Sequence, residues 1–217
     1  RRYTRAEVGL PEKAFVFCAF NNHFKITPPV FDVWMRILKD VDGSVLWLGE
    51  GTESSRRNLR REAKARGVTP ERLIFAPKVI GANYLARQRL ADLFLDTLHY
   101  NAHSTACDAL MMGLPVLTKP GDAFASRVAA SLVTAAGLPE LVASDLAQYE
   151  SLAVLLARDP TMLAGIRRRL EKNGPASPLF DTARTVRNIE RAYAEMARRA
   201  RAGLPPEEFA VDEGMPI

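Results

Sequence analysis

The chain has 217 residues, is 47% hydrophobic and 25% charged, and carries a net charge of +5. That length suits one sizeable α/β domain with or without appendages, and the composition is that of an ordinary globular protein. No apolar run approaches the roughly 20 residues needed to span a bilayer, and two cysteines are too few for a disulfide framework.

Residues 14–20 form a short apolar run rich in Phe and Val, as a buried strand would. Residues 28–39 place Val30, Phe31, Trp34, Ile37 and Leu38 on one helical face, behind two prolines suited to a helix start. Residues 44–48 read as the second strand and 56–66 as a charged helix stopped by Gly67. A third strand follows at 72–76, a third helix at 83–91 and a fourth strand at 93–96. Residues 104–112 read as a helix stopped by Gly113, and 115–118 as a fifth strand. Residues 124–136 read as one helix ended by Gly137, and 141–143 as a short sixth strand. Beyond Asp145 the pattern is helical, broken near Pro160 and between Asn173 and Pro178.

Alternating strands and helices require right-handed crossovers and a parallel sheet covered on both faces. The expected fold is α/β: a Rossmann-like parallel sheet with helices on both faces, plus a C-terminal helical extension. Residues 1–172 would form the lobe, 173–202 the extension and 203–217 a flexible acidic tail. Basic residues concentrate between Arg167 and Arg201 in amphipathic helix, so solvated helix faces account for the charge without nucleic acid. Cys18 and Cys107 lie in no metal-ligand spacing and read as small core residues in a reducing cytoplasm. Nothing at the start resembles a signal peptide, and a start at Arg1 rather than Met fits a piece of a longer protein.

In an open parallel sheet, ligands sit beyond the carboxyl ends of the strands. The fourth such loop leads into a helix opened by His103-Ser104-Thr105. Free amides and the positive end of a helix dipole make a phosphate site there, and Asp108 lies about one turn further in, placed to accept from ribose hydroxyls. The plainer alternative is that Ser104 or Thr105 is an N-cap. No G-x-G-x-x-G or Walker-type loop is present, which lowers dinucleotide and ATP chemistry. After the first strand, Lys25 stands where it would meet a diphosphate opposite that helix start. His23 beside it reads as a loop or packing histidine. His99 and His103 share a loop without nearby carboxylates, a poor metal site.

Several segments together resemble the protein O-GlcNAc transferase family, which also includes SPINDLY-type protein O-fucosyltransferases. They are residues 18–26, 44–48, 90–97, 101–108 and 125–131, with Ser177-Pro178-Leu179-Phe180 as a late match. The resemblance implies one lobe of a GT-B glycosyltransferase, a UDP-sugar donor and a polypeptide acceptor. It implies an N-terminal lobe and tetratricopeptide repeats elsewhere in the parent chain, with the C-terminal helices packing on that lobe. Lys25 matches the lysine that meets the donor diphosphate, and Asn22 a polar donor contact. His103, Ser104 and Thr105 match a phosphate-binding turn, Asp108 the ribose-binding aspartate and Arg87 a basic residue near the base. Tyr84 stands where the family often has a stacking histidine, Gly81 where it often has lysine, and Met111 where a tryptophan is common. The expected reaction moves GlcNAc from UDP-GlcNAc to Ser or Thr of proteins, without metal, cofactor, membrane or nucleic acid, and the lobe alone would be inactive. The alternatives are fucose transfer from GDP-fucose and a catalytically silent UDP-binding module.

Overall fold

The computed structural model describes residues 3–212. Arg1, Arg2 and residues 213–217, the end of the expected tail, lie outside the described residues. Five strands form one parallel sheet: β1 (Val16–Ala19), β2 (Val45–Gly49), β3 (Leu73–Ala76), β4 (Leu93–Leu95) and β5 (Val116–Leu117). Their order is β3-β2-β1-β4-β5. β1 lies centrally, pairing Val16 with Val45 on one side and Phe17 with Leu93 on the other. All four of its side chains are buried, as a sheet covered on both faces demands.

The helices are α1 (Pro28–Asp40), α2 (Glu53–Ala65), α3 (Ala82–Gln88), α4 (Ser104–Met111), α5 (Val128–Ala135), α6 (Leu146–Arg158), α7 (Pro160–Asn173) and α8 (Thr182–Arg201). Chain direction across the sheet reverses after β3, so right-handed crossovers put α1 and α2 on one face and α3 and α4 on the other. α1 starts at its two prolines and buries Val30, Phe31, Trp34, Ile37 and Leu38, the expected face. It packs on α6, where Trp34 Nε1 donates to the buried Tyr149 hydroxyl at 3.2 Å. α2 begins three residues before the expected start, because Thr52 and Ser55 form a reciprocal cap there.

Two expected elements differ. The sixth strand shrinks to a single parallel bridge between Thr118 and Val142. A 3-10 turn at Pro139–Leu141 and the cap of α6 at Asp145 leave too few extended residues between them for a ladder. The helix expected over 124–136 is a 3-10 turn, Phe124–Ser126, followed by α5. Asn101 explains the break. Its amide donates to Ala125 O at 2.8 Å, and its side-chain oxygen accepts from Ala129 N at 3.3 Å. One residue, through its backbone amide and its side-chain oxygen, thus takes both ends of the 129-to-125 bond that would have continued the helix.

At the chain's end, Leu179 and Phe180 pack back on the core. α8 then leaves it, with no buried residue. Val186, Ile189, Tyr193 and Met196 lie exposed at helical spacing. The tail folds briefly onto α8, where Arg199 pairs with Glu207 and donates to Pro205 O at 3.0 Å. The basic stretch is partly internal: Arg167 donates to Ala91 O at 2.6 Å and pairs with Asp92.

Candidate functional site

The order reverses between β1 and β4, so the loops leaving their carboxyl ends diverge and open a crevice. Lys25 reaches that crevice from a 3-10 turn, His23–Lys25, rather than directly from the strand end. Its Nζ donates to Asn101 O at 2.9 Å and lies 3.7 Å from the Tyr100 ring centroid. Partial burial lowers its pKa, and the charge of Asp96 raises it. The lysine is therefore held against the loop that enters α4.

His103, not Ser104 or Thr105, occupies the cap position of α4, and no side chain caps the helix. In α2, α6, α7 and α8 one first-turn amide is bonded by Thr52, Asp145, Asp159 and Asp181 respectively, whereas α1, α3 and α5, like α4, have no side-chain cap. The ordinary-cap alternative for Ser104 and Thr105 is thereby not realised. Ser104 is exposed, while Thr105 and Asp108 are half-buried one behind the other. The His103 ring is wedged between Tyr100 and Phe124, with Nε2 3.3 Å from Ala125 O.

Tyr84 meets this helix start from α3. Burial pushes its phenol up to about 12, reinforced by Asp108, while a bond with the Thr105 hydroxyl pulls the other way. Arg87 lies deeper than expected. It is buried, donates to Pro77 O at 2.5 Å, and stacks on Phe20, Trp47 and Tyr84 with guanidinium-to-ring distances of 5.1, 5.9 and 5.4 Å. Burial lowers its pKa, and the ring faces compensate part of the lost hydration. Arg87 thus braces Tyr84 from beneath. Asn22 is exposed at the mouth of a 410 Å³ cavity lined also by Phe20, Lys78, Tyr84 and Arg87.

His23 proves to be a packing histidine. Nε2 donates to Gly49 O at 2.9 Å, Nδ1 lies 2.8 Å from Ser55 Oγ, and burial lowers its pKa. It ties the loop after β1 to the loop after β2. Gly51 makes the approach possible: at φ 58°, a Cβ there would lie 2.2 Å from the ring. Cys107 is half-exposed on α4, unlike the buried Cys18, because α4 turns that side away from the sheet. Among the described residues, no group of three or more His, Cys, Asp or Glu side chains is placed to hold a metal ion. No helix among them is long and apolar enough to cross a membrane.

Sequence reasoning passed over Asp96. It directly follows β4, is fully buried, and accepts from Ala102 N at 2.6 Å, Thr97 N at 2.8 Å and Thr118 Oγ1 at 2.7 Å. Its signal was a carboxylate directly after Leu93-Phe94-Leu95, where burial demands compensating donors.

Residues 2–189 match Glycosyl transferase family 41. The chain belongs to this family. It is 38% identical over 210 residues to the probable UDP-N-acetylglucosamine–peptide N-acetylglucosaminyltransferase SEC of Arabidopsis thaliana, covering 96% of this chain and 22% of that one. The corresponding Caenorhabditis elegans transferase is 37% identical over 93% of this chain and 18% of its own length. The chain thus spans about a fifth of the curated relatives it matches. Among solved structures, a mutant of Thermobaculum terrenum O-GlcNAc transferase superposes with a TM-score of 0.80 at 33% identity, over 87% of this chain and 37% of that one. The five-stranded sheet with its crossover helices is a Rossmann-like lobe of the GT-B glycosyltransferase fold.

Proposed function

We propose that this family 41 chain is the donor-binding lobe of a protein O-GlcNAc transferase, moving GlcNAc from UDP-GlcNAc to Ser or Thr of a polypeptide. The observation that carries the reading is the Lys25 amine held at the entrance to α4, a helix whose first amides no side chain caps. A diphosphate seated there meets the amides, the dipole and a cation at once. In that pose His103, Ser104 and Thr105 bind phosphate oxygens, and Asp108 accepts from the ribose. Tyr84, braced by Arg87, offers its ring face to the base, and Asn22 borders the donor from the cavity mouth.

As the bond from the sugar carbon to the diphosphate breaks, negative charge builds on the departing UDP. Lys25 and the α4 amides are already oriented towards it, so they stabilise the transition state without reorganising. That arrangement meets the charge without a divalent cation, so transfer by the full-length protein should persist in EDTA. The polypeptide acceptor and the opposing lobe come from outside these residues, with tetratricopeptide repeats expected in the parent protein. The exposed stripe of α8 would pack on that lobe, so the chain alone should bind donor weakly and transfer little.

Calorimetric titration with UDP, UDP-GlcNAc and GDP-fucose tests the reading, repeated with Lys25→Ala and His103→Ala. Binding of UDP and UDP-GlcNAc that weakens about tenfold in either variant supports it. No response to any of the three defeats it. Preference for GDP-fucose moves the assignment to fucosyl transfer. UDP binding without turnover in the full-length protein marks a regulatory module instead.

A further inference from the structure

A loop can be shaped by neutral groups, yet here a carboxylate has been buried to shape one. Asp96 draws its donors from three segments of the chain. Oδ1 takes Thr97 N and Ala102 N, at the two ends of the loop after β4, and Asn21 Nδ2 at 3.4 Å from the loop after β1. Oδ2 takes Thr118 Oγ1 at the end of β5. The backbone carbonyl of Asp96 accepts from Tyr149 at 3.1 Å, which anchors the residue to α6.

The loop closed by these bonds is bonded again inside. Asn101 Nδ2 donates to Thr97 O at 2.9 Å, and Thr97 Oγ1 donates to Tyr100 O at 2.7 Å. Asn101 O then holds the Lys25 amine, and Ala102 immediately precedes the cap of α4. Both features of the donor reading, the lysine and the open helix start, therefore stand within one residue of a group that Asp96 fixes.

We propose that Asp96 is a positioning residue of this site, its ionised carboxylate setting the Asn101 carbonyl and, through it, the Lys25 amine at the entrance to α4. The functional consequence rests on the donor-site reading above, whereas the positioning itself does not. Thr97 N, Ala102 N and Asn21 Nδ2 can only donate, so a proton on Oδ1 displaces a bond, while one on Oδ2 turns the Thr118 hydroxyl from donor to acceptor and strips the Oδ1 bonds of their charge assistance. Burial pushes the Asp96 carboxyl up to about 7 against the pull of these donors, which brings that event near neutrality. The titratable groups facing it are Lys25, from the turn after β1, and Tyr149 of α6. β5 contributes only the neutral Thr118, and the loop after β1 the neutral Asn21.

The test is amine acylation of the 217-residue chain, with Lys25 modification read by mass spectrometry relative to exposed Lys13, from about pH 5.5 to 8.5. In the wild type, the ratio should fall a few-fold with rising pH along a one-proton curve centred near neutrality, as the ionised loop engages Lys25. Asp96→Asn should keep the high, released ratio across the range. Thr118→Val removes one donor without changing charge, so its midpoint should move to higher pH. A ratio in folded Asp96→Asn that follows the wild-type curve overturns the proposal. If that variant does not fold, the Thr118→Val midpoint decides, and an unmoved midpoint overturns it. On the same samples, UDP affinity should fall about tenfold in Asp96→Asn with the fold retained, and unchanged affinity overturns the functional link. If the wild type binds no UDP, the donor reading fails, while the acylation curves still decide the positioning.

Discussion

The loop entering α4 and the C-terminal helix α8 treat their side chains in opposite ways. Around the loop, Asp96, Thr97, Asn101 and Thr118 are all fully buried, and each is bonded. Along α8, Val186, Ile189, Tyr193 and Met196 are all exposed. Burying polar groups is expensive unless every one finds a partner, so the first arrangement gives a single well-defined loop geometry. Exposed apolar groups specify nothing by themselves. This lobe fixes the geometry of its crevice by its own polar bonds and leaves the apolar stripe of its last helix exposed.

Breaking the support beneath the loop should have the largest effect. Trp34 is fully buried and bonded to Tyr149, so Trp34→Ala should cost about 3–5 kcal/mol in urea unfolding. Tyr149→Phe is the sharper probe. It leaves the Trp34 N–H and the Asp96 carbonyl without their buried partner, at about 1–3 kcal/mol in the same measurement.

The charge at the centre of the loop predicts a pH dependence. The Asp96 carboxyl rises from 3.8 to about 7 on folding, so the native state holds its proton where the unfolded chain has lost it. Stability from this group is complete at the acid end and is lost as pH rises from about 4 to about 7, by at most about 1.4 kcal/mol per pH unit. Asp96→Asn should lack that decline. A wild type and variant with parallel urea midpoints over this range would contradict it. The ionised form that positions Lys25 is thus the form that burial disfavours.

On the proposed reading Lys25 would contribute to binding rather than to the core. Lys25→Ala should weaken UDP about tenfold, about 1.4 kcal/mol in calorimetry. It should leave unfolding within about 0.5 kcal/mol, the range of a surface change. The smallest effect belongs to α8. Ile189→Gln with Met196→Gln should shift the stability of this chain by no more than about 0.5 kcal/mol. In the full-length protein the same pair should be clearly destabilising, and equal effects in both contexts would deny α8 a partner.

The periodicity of apolar residues was enough to read the alternation of strands and helices, since burial on both faces demands continuous apolar strands and one-sided helices. It located α1 by its buried face and the crevice by the strand ends. Lys25, His103, Ser104, Thr105 and Asp108 were legible as belonging to one edge of the sheet, because all lie on or just after loops leaving the carboxyl ends of parallel strands. The depth of Arg87 was not legible, since a basic residue on a helix reads as exposed until three aromatic rings converge on it. Nor was the break before α5, because the Asn101 bonds that cause it span 24 to 28 residues of sequence. Asp96 was hidden for the same reason. The residues before it are apolar, and three of its four donors come from residues 21, 102 and 118. Local spacing determines which groups reach the crevice, whereas only the packed sheet decides which of them hold the others in place.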